Sequence, residues 1–317
     1  MPFEDFPSTL PEFDRRFGGE VACWHYLRRL KWPHGFRCAA AGCRGRRSYF
    51  VIERGVDECA TCGRQTSVTA GTMFHRTRTP LKLWFRAIFE FVSRKHGCNA
   101  MDLRRLLGLS YPTAWAWLHK IRDVMVREGR QKLEGEVEVD ETYVGGAEAG
   151  VFGRDLGEKK VLVAGAVEFS DAGCGRARLR PVTSAAAADL QAFVGDVVKE
   201  GATVWTDGLP AYRGLGAVFA HKVKVIGDPK TAADKFPHIH RVFALFKRVL
   251  LGTYQGSWSK KWAAMYCEEF VFRFNRRTAL ARTLLVGRVL GESVRRAPRI
   301  HRLAGKTFEG EVVPVAA

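Results

Sequence analysis

Apolar residues follow two spacings in this chain: helical through most of the first 130 residues, and mixed strand and helix beyond them. The stretch from Phe13 to Leu30 reads as helix and stops at Trp32-Pro33. Residues 34–76 break the pattern, being rich in Cys, Gly and Arg with only short strands. From about Pro80 to Lys95, Leu81, Trp84, Phe85, Ile88 and Val92 fall on one helical face, and Gly97 ends the run. Asn99 caps a short helix that runs through Leu107 and stops at Gly108. Ser110 caps a third, carrying Trp115, Leu118, Ile121 and Met125. A short helix, a glycine-containing turn and a second helix are the parts of a helix-turn-helix, and also of a plain three-helix bundle that touches no DNA.

Beyond residue 130, Val137 and Val139 alternate with Glu138 and Asp140 as a strand requires. Gly145–Gly157 reads as a loop. Val161–Phe169 is nearly all apolar, a strand buried on both faces, and Arg176–Val182 is a third strand. Ser184 caps a helix with Leu190, Phe193, Val194 and Val197 at helical spacing. Val204–Asp207 and Val218–Ile226 are further strands. Ile239, Val242, Phe243, Phe246, Val249 and Leu250 then mark the buried stripe of a helix. No internal repeat is present. Three strands, a helix, a strand and more α/β is, by analogy of element order, a ribonuclease-H-like arrangement.

Composition narrows the function. The chain of 317 residues is 46% hydrophobic, enough for a sizeable core, and its net charge of +18 favours a polyanionic partner such as DNA or RNA. The N-terminus is acidic and lacks the apolar stretch of a secretory signal. No apolar run approaches the ~20 residues of a membrane helix. Eight cysteines in such a chain are expected as thiols and metal ligands of a reducing compartment.

Four of them have metal-ligand spacing. Cys38 and Cys43, then Cys59 and Cys62, are two close pairs that a hairpin brings together as a tetrahedral four-cysteine zinc site. Two disulfides or free thiols are the alternative. A ribbon this small has little core, so the zinc is expected to be structural. Arg37, Arg44, Arg46, Arg47 and Arg64 surround it and suit phosphate. His25 and His34 are possible replacement ligands, and Cys23, Cys98, Cys174 and Cys267 read as small buried hydrophobes.

The other candidate chemistry is a pair of aspartates, Asp140 and Asp207, each at the end of an apolar strand. Carboxylates held on strands are rigid oxygen ligands for a hard divalent cation, and two can hold the metals of in-line phosphoryl transfer. His240 and Lys247 are seven apart, within ~20° of each other around the predicted helix. On spacing alone they are as well explained as the polar edges of an amphipathic helix.

Five stretches carry a resemblance: Val139-Asp-Glu-Thr-Tyr-Val-Gly-Gly146, Trp205-Thr-Asp-Gly208, His240-Arg-Val-Phe-Ala-Leu-Phe-Lys-Arg248, Gly252-Thr-Tyr254 and Glu269-Phe-Val-Phe-Arg-Phe-Asn-Arg-Arg277. In this order the chain resembles, from about Arg16 to Arg277, bacterial insertion-sequence transposases of the DDE type with an N-terminal zinc ribbon. The resemblance implies a ribonuclease-H-like catalytic domain, two divalent ions (Mg²⁺ or Mn²⁺), and cleavage and insertion at terminal inverted repeats. It makes Asp140 and Asp207 the first two metal carboxylates and places His240 at a third acidic position that is Glu in most relatives of the wider class; the chain resembles a branch, a DDH variant, where Asn or His stands there with a Lys seven residues on, here Lys247. Imidazole suits Mn²⁺ better than Mg²⁺. Asp228 and Asp234 are candidate substitutes, whereas Glu141 points to the opposite face of its strand. Tyr143, Tyr212 and Tyr254 are read as packing residues rather than nucleophiles.

The expected organisation is an N-terminal helical segment (1–33), a zinc ribbon (34–76), a helix-turn-helix-like region (77–130), an α/β ribonuclease-H-like catalytic domain (131–280) and a basic C-terminal segment (281–317). DNA contacts are expected from Arg104, Arg105, Lys120 and Arg122 beside His119, from Arg276 and Arg277, and from a run between Arg273 and Lys306 that holds ten Lys/Arg against one acid, Glu292. The implied partners are double-stranded DNA, as terminal repeats and target, and further copies of the chain on DNA. The implied location is the bacterial cytoplasm at the nucleoid. The competing readings are an inactive copy acting as a sequence-specific DNA-binding regulator, and a nuclease without end specificity.

Overall fold

The computed structural model describes residues 6–126, 129–146, 157, 159–225, 232–256, 259–279, 281–297, 299–300 and 311–312. The chain forms two compact units, one made of Met1–Met125 with Ala279–Ala317 and the other of Val126–Thr278.

The first unit opens with α1 (Leu10–Arg16), whose Thr9 and Glu12 form a capping box, and α2 (Glu20–Lys31). An antiparallel sheet of β1 (Ser48–Val51), β2 (Val56–Cys59) and β3 (Gln65–Ser67) follows, in that order. Its inner face packs on α2, where the Arg28 guanidinium grips the buried Asp57 carboxylate at 2.8 Å from Nε. Next come α3 (Leu81–Ser93), α4 (Ala100–Leu107) and α5 (Tyr111–Met125). The expected caps are present: Asn99 accepts the Asp102 N–H at 2.9 Å, Gly108 closes α4 at φ 65°, and Ser110 accepts the Thr113 N–H at 3.3 Å. The start of α3 has no cap of its own beyond Pro80. Glu20 of α2 supplies it, accepting the Leu81 N–H at 2.7 Å and the Lys82 N–H at 3.0 Å. Trp84 and Trp117 stack at 3.7 Å between centroids and join α3 to α5.

In the second unit, β4 (Glu136–Val144), β5 (Val161–Ser170) and β6 (Gly173–Val182) are antiparallel neighbours. After α6 (Ala187–Val197), β7 (Thr203–Thr206) pairs parallel with β4, and β8 (Ala220–Val223) pairs parallel with β7. The sheet order is β6-β5-β4-β7-β8. The short α7 (Ala232–Lys235) leads into α8 (Pro237–Gly252), and α9 (Ala263–Phe274) follows. One sheet face packs Val137, Val139 and Val204 against Leu190 and Phe193 of α6. The other packs Val163 and Leu179 against Ile239, Phe243 and Phe246 of α8 and Phe270 of α9. This mixed sheet between helices is consistent with a ribonuclease-H-like transposase domain. Gly165, opposite Asp140 in the ladder, lets α8 approach closely: a Cβ there would stand 2.5 Å from Phe243 and 3.0 Å from Ile239.

Several local expectations are corrected. Asp140 lies in the middle of β4 rather than at its end, because Thr142, Tyr143 and Val144 extend the strand. Ser184 does not cap α6; Ala186 holds that position, and the Ser184 hydroxyl donates to Asp189 Oδ2 at 2.8 Å. The last strand is shorter than Val218–Ile226, and Ile226 and most of the Gly145–Gly157 loop lie outside the described residues. The final helix, α10 (Thr283–Ser293), lies in the segment expected to be basic and packs into the first unit. It buries Leu285, Val286, Val289 and Leu290 among α2, α3 and α5, and the Ser293 carbonyl accepts the Met73 N–H at 2.9 Å. Among the described residues no helix is long and apolar enough to cross a membrane.

Gly165→Ala is expected to lower stability by about 1–3 kcal/mol through overpacking against α8. Urea unfolding should show a lower midpoint at unchanged slope.

Candidate active site and metal centre

Strand register builds the site. The ladder pairs Glu138 of β4 with Trp205 of β7. Two residues on, Asp140 and Asp207 fall on the same face of neighbouring strands, which lie about 4.8 Å apart. This is the face covered by α8. Asp207 Oδ1 accepts the Leu209 N–H at 3.0 Å, and Asp140 Oδ1 accepts the Glu141 N–H at 2.8 Å. The other Asp140 oxygen, Oδ2, lies 3.4 Å from His240 Nε2. That approach lacks hydrogen-bond geometry, and among the described residues the buried nitrogen has no hydrogen-bond partner. A carboxylate oxygen and an imidazole nitrogen are thus brought together without satisfying each other.

The charges here are strained by burial. Asp140 is pushed up to about 7, first by desolvation and then by Glu141, Asp207 and Glu138. Burial, aided by the Lys247 charge, lowers His240 below its ordinary value, so the ring is neutral at pH 7 and offers a lone pair. Burial also lowers Lys247, against the pull of Asp140. Glu141 faces away, as strand alternation requires, and accepts the buried Tyr212 hydroxyl at 2.8 Å. Tyr212 is raised well above its ordinary value by burial and then by Glu141, and Tyr254 is buried with its hydroxyl donating to Glu269 at 2.7 Å. Tyr143 is partly buried in β4 opposite Leu162. These tyrosines are packed or spoken for. Asp234 is exposed on α7, and Asp228 lies outside the described residues.

One residue of the site was missed from the sequence. Glu138 is buried, and its Oε2 accepts the N–H groups of His238 at 3.0 Å and Ile239 at 2.8 Å. It caps the first turn of α8, where free N–H groups and the helix dipole favour an anion. The strand that carries Asp140 therefore grips the helix that carries His240. The available signal was a second acid two residues before Asp140 on the same strand face.

Among the described residues, Cys38, Cys43, Cys59 and Cys62 are the one group of three or more ligating side chains whose donor atoms all lie within 4.8 Å of one another. Cys38 and Cys62 sulfurs are 3.6 Å apart, and Cys43 and Cys59 sulfurs 3.8 Å. Zinc–sulfur bonds of about 2.3 Å in a tetrahedron give sulfur–sulfur edges of about 3.8 Å. A disulfide needs about 2.05 Å. Three sulfurs each accept a backbone N–H two residues on, from Ala40, Gly45 and Thr61, at 3.4 Å. The Thr61 N–H, followed by that of Cys62, draws the Cys59 thiol down to about 6. A Cβ at Gly45 would stand 2.5 Å from the Cys59 sulfur, so only glycine fits inside the cluster. This cluster can hold zinc. His25 lies tilted against the Phe50 ring and His34 is exposed, and neither belongs to it. Cys23, Cys98 and Cys267 are buried as expected, whereas Cys174 is half-buried with its sulfur 3.4 Å from His238 Nδ1.

The residues expected to meet DNA divide sharply. Arg104, Arg105 and the ribbon arginines Arg37, Arg44, Arg46, Arg47 and Arg64 are exposed. Lys120 is half-buried over the Trp84 ring. Arg122 is a correction: it is buried, with its guanidinium over Phe91, and His119 beside it is fully buried. Arg273 is likewise buried, against Glu269. Arg276 lies on the Phe272 ring and donates to the Phe272 carbonyl, and Arg277 donates to the carbonyls of Cys174, Gly175 and Phe274. Arg288 and Arg295 are exposed.

Because its folded pKa lies above its unfolded value, Asp140 favours the folded state below about pH 4 and loses that contribution as pH rises through about 7. In metal-free protein the loss is on the order of 3 kcal/mol. Asp140→Asn should therefore raise the melting temperature at pH 8 by about 5–10 °C and leave it nearly unchanged at pH 4, as calorimetry at the two pH values would read.

Residues 132–275 match the model of the ISXO2-like transposase domain. A protein described as the uncharacterized protein in transposable element ISH50, from Halobacterium salinarum, is 26% identical over 238 residues, covering 68% of this chain and 76% of its own length. The Asp140–Asp207–His240 face lies inside the matched region, and the chain thus carries an insertion-sequence transposase domain of the DDE type over residues 132–275.

Proposed function

We propose that the protein cleaves the ends of an insertion sequence and joins the freed 3′-OH to target DNA, working as a ribonuclease-H-like catalytic core with a structural zinc ribbon and a helix-turn-helix that read the DNA. The observation that carries this reading is the approach of Asp140 Oδ2 to an unpartnered His240 Nε2, on the sheet face that also bears Asp207. Two carboxylates and a neutral imidazole suit a divalent cation, with Mn²⁺ favoured over Mg²⁺ by the nitrogen. When bound, such ions supply Lewis-acid activation of water and of the leaving oxygen.

The protein's own groups do the positioning. Asp140 and Asp207 would hold the cations, His240 would complete the set, and Glu138 fixes the helix that presents it. Lys247 offers a point charge to a phosphate oxygen. In the first step a water oxygen bonds to phosphorus and the phosphorus–O3′ bond at the element's end breaks, leaving a 3′-OH. In the second that 3′-oxygen bonds to a target phosphorus and the target's phosphorus–O3′ bond breaks. No covalent enzyme intermediate is required. Joining two ends in one reaction calls for more than one copy of the chain on the DNA, in the cytoplasm where the chromosome lies.

A supercoiled plasmid carrying the DNA that flanks the gene tests this reading. Wild type with Mg²⁺ or Mn²⁺ should give discrete 3′ ends at an inverted repeat. Asp207→Ala should lose several kcal/mol of catalysis, a rate lower by roughly 10³-fold or more. The second reading, a DNA-binding regulator, is favoured by the His at the third acidic position. It predicts specific binding that survives Asp207→Ala, with no cut ends in either metal.

For the ribbon, purified protein should contain about one zinc per chain. Stripping it with a chelator, or Cys62→Ser, should unfold the β1–β3 hairpins, seen as loss of their amide protection, while the β4–β8 sheet stays protected.

A further inference from the structure

The register that aligns the two aspartates continues outward to the edge strand. Trp205 pairs with Lys222 in the β7–β8 ladder, and the Lys224 N–H donates to the Thr206 carbonyl at 3.0 Å. Two rows therefore cross three strands on the α8 face. The first is Glu138, Trp205 and Lys222. The second, two residues on, is Asp140, Asp207 and Lys224. Adjacent strands are about 4.8 Å apart, so Lys224 stands beside Asp207 as Asp207 stands beside Asp140. Both ammonium groups sit 4.7 Å from the centre of the Trp205 ring. That ring is itself tied down by an Nε1–H hydrogen bond to Glu136.

Lysines on an edge strand often do no more than block pairing with another sheet. Such lysines extend into solvent. These two instead fold back over one indole, which attracts cations through its π face and holds two like charges together. Among the described residues, neither ammonium has a carboxylate within 4.0 Å. Their residues are exposed, so the charges are open from outside. By contrast, Arg276 and Arg277 are spent on backbone carbonyls. A fixed, unpaired double cation next to a pair of acids matches a strand of phosphates whose scissile member lies at the acids.

We propose that Lys222 and Lys224, held over Trp205 on the β8 edge, form a phosphate-binding subsite for the DNA strand that enters the Asp140–Asp207 site. This inference rests on the DNA-directed reading given above.

The test measures binding of the full chain to a fluorescent duplex from the gene's flanking DNA, over a range of KCl concentrations. Each phosphate contact contributes about 0.9 to the slope of log K against log salt. Lys222→Gln/Lys224→Gln is expected to reduce that slope by about 1.8, and Lys222→Arg/Lys224→Arg to keep it. An unchanged slope in the glutamine variant, with wild type binding normally, overturns the subsite and leaves the transposase reading intact. Wild type that binds no duplex at any salt overturns both. The arginine variant separates lost charge from lost packing on Trp205, since it keeps the cations while changing their shape.

Discussion

The second unit depends on one buried carboxylate reaching across two layers. Glu138 leaves the sheet and takes the first free N–H groups of α8. An uncompensated buried acid is costly, and so is a helix start without acceptors; each relieves the other. The bond fixes α8 lengthwise against β4. Because His240 lies on the first turns of α8 and Asp140 two residues beyond Glu138, their separation is set by this cap and by the bare backbone at Gly165. The acids on β4 and β7 then need only the ladder between those strands to come into line.

Burial on that face explains the electrostatics as well as the geometry. Asp140 is held near neutrality by desolvation and by three acids around it, and His240 loses its charge through burial and then the Lys247 cation. Acids crowded together under burial cost folding stability, and such groups cluster where a protein keeps them for another use. The cysteine cluster shows the opposite economy. Its three backbone N–H···S contacts and its near-tetrahedral edges satisfy the thiolates locally, in a ribbon whose three short strands bury little else.

Local chemistry made much of this legible. Asn99, Gly108 and Ser110 act where their side chains or backbone freedom dictate, within three residues of themselves. The stripe from Ile239 to Leu250 is the buried face of α8, and the cysteine spacings describe a real cluster. What escaped was long-range or depended on facing. Glu20 caps a helix sixty-one residues away, which no window of sequence reveals. Arg122 carries the charge expected of a DNA contact but falls on the inner side of α5, where its guanidinium lies over the Phe91 ring. Asp140 looked like a strand end because aspartate is scarce within strands, yet the residues after it are strong strand formers. Lys222 and Lys224 became interesting only once the ladder set them level with the acids.

The return of α10 to the first unit has a consequence in time rather than in space. During synthesis the ribosome delivers α2, α3 and α5 long before the helix that covers them, and the whole of Val126–Thr278 is made in between. The second unit is continuous in sequence and has all its strands once β8 and its helices have emerged. The N-terminal unit must wait with an open apolar groove until Leu285, Val286, Val289 and Leu290 arrive. A nascent or prematurely terminated chain therefore brings Asp140 level with Asp207 before its first unit is closed.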